Sequence, residues 1–158
     1  MTQINKKRIL AALVLICGLS LTGCGRYQAI GVFQDYKEVL YGTANTNLAA
    51  GRSDFVLIGK ATGLKCEGSC DATYIPPWGL CKGQRGTFFA MCTDGRTITG
   101  EWLAQSCKKG YGRGKDSYGN IFAFAFGMSE RAAEAQLKAQ LEASSNQPAL
   151  PTSNPKQH

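Results

Sequence analysis

Strand-like apolar runs lie between residues 36 and 127, with two-residue alternation clear at 121–126, and a helical period follows. Tyr36-Lys37-Glu38-Val39-Leu40-Tyr41 is rich in aromatic and branched residues, and Asp54-Phe55-Val56-Leu57-Ile58-Gly59 is a continuous apolar run closed by glycine. Both predict strands, joined through a stretch holding the turn formers Asn45, Asn47 and Gly51. Residues 60–86 carry no period. Pro76-Pro77 lies among them, and proline has no N–H to give a ladder or a helix, so this part reads as a long loop with Trp78 near its tip. Thr87-Phe88-Phe89-Ala90-Met91-Cys92 and Arg96-Thr97-Ile98-Thr99-Gly100-Glu101-Trp102 then flank Asp94-Gly95, the signal for a hairpin with a type I′ turn. A second hairpin joins the glycine-spaced segment 110–115 to Asn120-Ile121-Phe122-Ala123-Phe124-Ala125-Phe126-Gly127. Alternation in the latter puts Phe122, Phe124 and Phe126 on one face and Ile121, Ala123 and Ala125 on the other. Each phenylalanine brings ~150–250 Å² to bury, so that face predicts the core and the small face predicts a seat for another layer.

The helical part begins at Ser129, a suitable N-cap, with Glu130 near the positive end of the helix dipole. Strong helix formers continue to Ala143, and Ala133, Leu137 and Leu141 form a narrow apolar seam. Residues 144–158 are mostly Ser, Asn, Gln and Pro, too polar to bury, and predict a disordered tail. The fold class expected is mainly β: a small antiparallel, partly closed barrel or sandwich of about six or seven strands, with one C-terminal helix.

The N-terminus departs from this pattern. Lys6, Lys7 and Arg8 precede a run of apolar residues from Ile9 to Leu21, too short for the roughly 20 residues that cross a bilayer. A charged segment followed by a short apolar one is the form of an export signal. The run ends in Leu21-Thr22-Gly23-Cys24, which resembles the bacterial lipobox cut by lipoprotein signal peptidase. The resemblance implies removal of residues 1–23, a diacylglyceryl group on the sulfur of Cys24 and anchorage in a membrane. Gly25, standing where aspartate favours inner-membrane retention, implies an outer-membrane lipoprotein facing the periplasm. Two or three acyl chains hold more firmly than the marginal single chain. The expected organisation is then a lipidated tether over 24–35, a β-domain over 36–127, a helix over 128–143 and the tail.

Charge adds a candidate surface. The formal charge is +7, and loss of Lys6, Lys7 and Arg8 leaves 15 basic against 11 acidic side chains. Seven of the basic residues fall in one segment: Lys82, Arg85, Arg96, Lys108, Lys109, Arg113 and Lys115. A basic patch concentrates anionic partners. With Trp78, the residues Arg96, Lys108, Lys109, Arg113 and Lys115 form the expected binding surface, for an anionic envelope component or an envelope protein. No nucleic-acid motif occurs, so nucleic acid is not expected as a partner.

The chemistry is limited. His158 is the only histidine, at the far C-terminus, which removes Ser-His and Cys-His pairs and histidine metal sites. Asp94, Glu101 and Asp116 leave paired-carboxylate hydrolysis of glycans as an alternative, but no spacing brings two of them across a cleft. The glycines at 110, 112 and 114 do not make a phosphate loop, since Lys115 is followed by Asp116 and not by Ser or Thr; they fit a strand in close contact with other backbone. Neither a metal nor a cofactor is expected. Five cysteines remain beyond Cys24, and an oxidising compartment favours disulfides. Sequence does not fix their connectivity; the favoured arrangement is Cys66–Cys92 with Cys70–Cys81, leaving Cys107, and a four-cysteine zinc site is the rival.

Gly63-Leu64-Lys65-Cys66-Glu67-Gly68, Cys92-Thr93-Asp94-Gly95-Arg96 and the segment 112–127 also resemble small exported bacterial β-domains of unknown function, which share a Gly-Leu-x-Cys-x-Gly element, a Cys-x-Asp-Gly-Arg hairpin and a Phe-x-Phe-Gly strand. That resemblance implies a fold and the use of Cys66 and Cys92, without an activity. The functional expectation is a membrane-anchored envelope lipoprotein with a non-catalytic binding or structural domain. An inhibitor of an envelope-attacking enzyme is a variant of it.

Overall fold

A computed structural model describes residues 24–35, 38–47, 51–77 and 81–145. The expected signal segment 1–23, Trp78 and the tail from residue 146 lie outside the described residues. Eight strands run β1 (Cys24–Phe33), β2 (Val39–Asn47), β3 (Arg52–Gly59), β4 (Lys65–Tyr74), β5 (Arg85–Cys92), β6 (Thr97–Ser106), β7 (Lys109–Asp116) and β8 (Ile121–Phe126). Helix α1 (Glu130–Ser145) follows. Each strand pairs antiparallel with the next, and β8 returns to β1, giving a closed up-and-down barrel. Closure leaves no open sheet edge.

The barrel is therefore more complete than expected, because two segments read as irregular are strands. Residues 24–33, expected as a tether, pair with β2 along their length and with β8 from Ala29 to Phe33. Residues 65–74, expected within a loop, pair with both β3 and β5. In each case small residues interrupt the inward face and hide it, although β1 ends on the inward Phe33. In β4 they are Cys66, Gly68, Cys70 and Ala72, alternating with Lys65, Glu67, Ser69 and Asp71 outside. In β1 Gly31 faces inward against Leu57 and Phe122, where an added Cβ would lie 2.8 Å from the leucine.

Large rings opposite missing side chains fill the interior. Phe122, Phe124 and Phe126 point inward and pair across the ladder with Gly114, Gly112 and Gly110. A Cβ on Gly112 would come within 2.3 Å of the Phe124 ring. The glycine period of β7 is thus the complement of the phenylalanine period of β8. Phe33, Phe55, Phe88 and Trp102 complete the core, with the Phe55 and Phe124 rings stacked at 5.6 Å and Phe88 edge-on to Phe124 at 4.9 Å.

The other face of β8 carries α1. Ala123 and Ala125 with Ile30 of β1 make a shallow apolar seat into which Ala133 and Leu137 pack. Leu141 extends the contact, so the expected seam is the buried one. The helix occupies 130–145 in place of the expected 128–143, taking in two residues assigned to the tail. Elsewhere the outer wall is mixed: Glu67, Asp71, Thr87, Glu101 and Arg113 are exposed, and so are Ile58, Phe89 and Met91. The interior is apolar, where that of a membrane-spanning barrel is polar.

The Asp94-Gly95 hairpin forms, but not with a two-residue turn. Gly95 N–H donates to the Cys92 carbonyl at 3.0 Å and Cys92 N–H donates to that of Arg96 at 2.9 Å. Thr93 and Asp94 are therefore the central pair, and Gly95, at φ +88°, closes a three-residue loop. The β7–β8 connection repeats the design with Gly119 at φ +91°.

Candidate functional site

Among the described residues, the interior cavity lined by Ala29, Phe55, Cys70, Trp102, Phe124 and Phe126 among others has about 20 Å³. That holds about one water, whereas ligand pockets run to about 300–1,000 Å³.

The mouth at the β5–β6 and β7–β8 turns is closed by Arg96. Its Nε donates to Asp94 Oδ2 at 2.7 Å and its Nη1 donates to Asp116 Oδ2 at 3.1 Å. The guanidinium also lies 4.7 Å from the centre of the Phe33 ring, a cation–π contact. Asp116 in turn accepts the N–H groups of Tyr118 and Asn120, each at 2.9 Å, and so shapes its own turn. The Arg96 side chain is 8% exposed and that of Asp116 is fully buried. Arg96 is thus a structural plug, and its expected place on a binding surface is corrected. Asp94 and Asp116 meet only across it, and Glu101 stands outside on β6, so the three candidate carboxylates do not face a common cleft.

The other basic residues divide. Lys108 and Lys109 sit exposed at the β6–β7 turn and the start of β7, together with Lys82 of the β4–β5 connection and Arg85 at the start of β5. Arg113 and Lys115 lie on the wall of β7, where Arg113 pairs in register with Glu101. An open groove between α1 and this wall is lined by Arg85, Thr87, Glu101, Tyr111, Arg113 and Gln140 among others. Among the described residues Glu101 is its only carboxylate. A single segment of sequence therefore supplies three separate places. Closure adds Arg26 and Arg52 from β1 and β3 to the mouth that holds Lys108, a juxtaposition that spacing along the chain does not reveal.

Cys66 is bonded to Cys92, its partner in register between β4 and β5. The expected Cys70–Cys81 bridge is not formed. Cys81 is bonded to Cys107, joining the β4–β5 connection to the β6–β7 turn. Cys70 faces into the barrel, away from that connection, and is the free cysteine among the described residues, in place of Cys107. These two disulfides take up four of the cysteines on which the rival zinc site rested, and no group of three His, Cys, Asp or Glu able to hold a metal occurs among the described residues.

Burial, reinforced by Asp71 and Asp54, pushes the Cys70 thiol up to about 12 from 9.0. It is no nucleophile near neutrality. Because the unfolded thiol loses its proton first, stability is lost as pH rises from about 9 toward 12. Urea midpoints measured at pH 8 and pH 10.5 are expected to fall less in Cys70→Ala than in the wild type. Parallel falls in both proteins would assign the alkaline loss elsewhere.

No family model and no curated protein matches this chain. Among solved structures the chain is similar to engineered barrels. A redesigned β-barrel matches at 12% identity and a TM-score of 0.49, covering 67% of this chain and 90% of that one. A de novo designed fluorescence-activating β-barrel matches at 18% identity and a TM-score of 0.44, over 65% and 89%. A redesigned barrel bound to DFHBI matches at 14% identity and a TM-score of 0.46, over 65% and 91%.

Proposed function

We propose that this protein is an envelope lipoprotein, anchored through a diacylglyceryl group on Cys24, whose barrel is a non-catalytic binding or structural module. The filled interior carries the second half of that reading. With room for about one water inside, recognition falls to the outer wall, the open mouth or the helix groove. The separation of Asp94, Glu101 and Asp116 further favours binding over glycan hydrolysis. The lipobox Leu21-Thr22-Gly23-Cys24 supports the anchor, and Gly25 supports an outer-membrane address facing the periplasm.

The partner class is an anionic envelope component or an envelope protein. In cells fed labelled palmitate, the wild type is expected to take up label and to sediment with membranes. Cys24→Ala is expected to lose both properties. Label retained by the variant refutes the anchor. Crosslinking the lipidated protein in intact cells then tests the module: a reproducible partner supports binding, and none leaves a passive structural part.

A further inference from the structure

The strand ends form two mouths with different chemistry. One gathers the starts of β1, β3, β5 and β7 with the ends of β2, β4, β6 and β8. Cys24 is the first residue of β1 and pairs in register with Asn47, so the predicted lipid site belongs to this rim with no spacer. Arg26, Arg52, Lys82, Arg85, Lys108 and Lys109 lie around it, all exposed. Against them stand Asp54, Glu130 and Asp71, the last bonded to Arg52 at 2.9 Å. The far mouth instead collects the carboxylates Asp35, Glu38, Asp94 and Asp116 with Lys60, Lys65, Lys115 and the buried Arg96. The barrel is electrically lopsided, with its cationic excess at the end where Cys24 lies.

The same rim exposes apolar groups. Tyr74 is 44% and Ile75 52% exposed, adjacent residues at the end of β4. The Arg85 guanidinium lies over the Tyr74 ring, 4.9 Å from its centre, placing a cation and an aromatic face together. The Cys81–Cys107 disulfide clamps the loop holding Lys82 to the turn holding Lys108. Gly83 N–H, donating to the Ala104 carbonyl at 2.8 Å, and Ala104 N–H, donating to that of Gln84 at 2.8 Å, continue the clamp. These contacts tie Lys82 to Lys108 and Arg85 to Tyr74 at one rim.

We propose that this mouth is a docking face for an anionic bilayer. Phosphodiester headgroups of the phosphatidylglycerol class meet Arg26, Lys82, Arg85, Lys108 and Lys109, while Tyr74 and Ile75 enter the interfacial layer. Amphipathic rings and long cationic side chains favour that depth because each has one apolar and one hydrated part. The inference deepens the anchor reading and rests on it for delivery, since acyl chains on Cys24 bring this mouth to the lipid before any other surface. Arg26 follows Cys24 by two residues, ~7 Å along a strand, within the Debye length of about 8 Å. The barrel then stands upright, leaving its wall, the helix groove and the Arg96 mouth turned to solvent.

The test uses the full-length protein recovered from membranes and placed on two kinds of vesicle, phosphatidylcholine alone and an equal mixture with phosphatidylglycerol. Amine acetylation followed by mass spectrometry reads each lysine. Lys82, Lys108 and Lys109 are expected to react at least about fivefold more slowly on the mixed vesicles, the factor for one cation held at an anionic surface. Lys60 and Lys65 at the far mouth keep their rates. Lys108→Glu with Lys109→Glu restores fast labelling of Lys82, with the far-mouth lysines unchanged as a check on folding. Equal rates on both vesicles, or slowing spread evenly over both mouths, overturns docking. The intact mass of the same samples reports acyl chains on Cys24. Their absence refutes the anchor, and the lysine pattern of the protein mixed with vesicles still decides the docking face.

Discussion

Arg96→Ala is expected to destabilise the barrel by about 3–5 kcal/mol, the usual cost of leaving a buried charge without its partner. The group stranded is Asp116, whose carboxylate is fully buried beside Arg96 and which organises the β7–β8 turn. Asp94 loses the same partner, and the Phe33 ring loses the cation above it. Urea unfolding is expected to show a midpoint lowered by ~2 M with the slope unchanged, given m-values of about 1–3 kcal/mol/M for small domains. Combining Arg96→Met with Asp116→Asn is expected to recover much of the loss, because an apolar stem with a neutral amide leaves no buried charge. A loss under 1 kcal/mol in the single variant would show that the plug is hydrated and dispensable.

Phe122→Ala is expected to cost a similar ~3–5 kcal/mol, as truncation of a fully buried ring removes both its transfer energy and its packing. Phe122 contacts Phe33 at 4.8 Å between ring centres, and it lies beside the inward glycine of β1, where a Cβ on Gly31 would sit 2.9 Å from the ring. This contact makes a sharper prediction than the single loss. Gly31→Ala is expected to be destabilising alone and milder in the Phe122→Ala background, because the added methyl then enters the vacated space. A double-mutant cycle measures that coupling, which residues in contact typically show at about 0.5–3 kcal/mol. Additive losses would remove the argument that glycine here exists to admit the ring.

These two sites show which parts of the fold were legible in advance. β8 was readable because its three inward residues are all phenylalanine, and the hairpin at Asp94-Gly95 because glycine marks its own backbone conformation. β1 and β4 were hidden because closure lets neighbouring strands supply much of the bulk, so Gly, Ala and Cys fill the inward positions of β4 and those of β1 at Ala29 and Gly31, ahead of Phe33. Arg96 was misplaced for a related reason. The two-residue period places Arg96 on one face with Ile98 and Trp102, its charge argues for the surface, and Asp94 and Asp116 together make the inward place tenable. The Cys81–Cys107 bridge joins two loops that are neighbours through strand pairing and not through spacing. The cationic mouth was illegible for the same cause, since its members come from β1, β3, the starts of β5 and β7 and the connections before them.

Closure also has a consequence in time. β1 pairs on one side with β2, which follows it directly, and on the other with β8, whose Phe126 lies opposite Ala29. A chain grows at about 5–20 residues per second, so β1 waits roughly 5–20 s between its first partner and its second. Throughout that interval one flank of β1 and the newest strand both present unpaired N–H and C=O groups, the template on which strands from separate chains associate. A chain ending before residue 121 never leaves that condition, however well its early hairpins form. Such fragments are therefore obligate clients for chaperones or proteases, and the last strand acts as the checkpoint that distinguishes a finished molecule from an adhesive one.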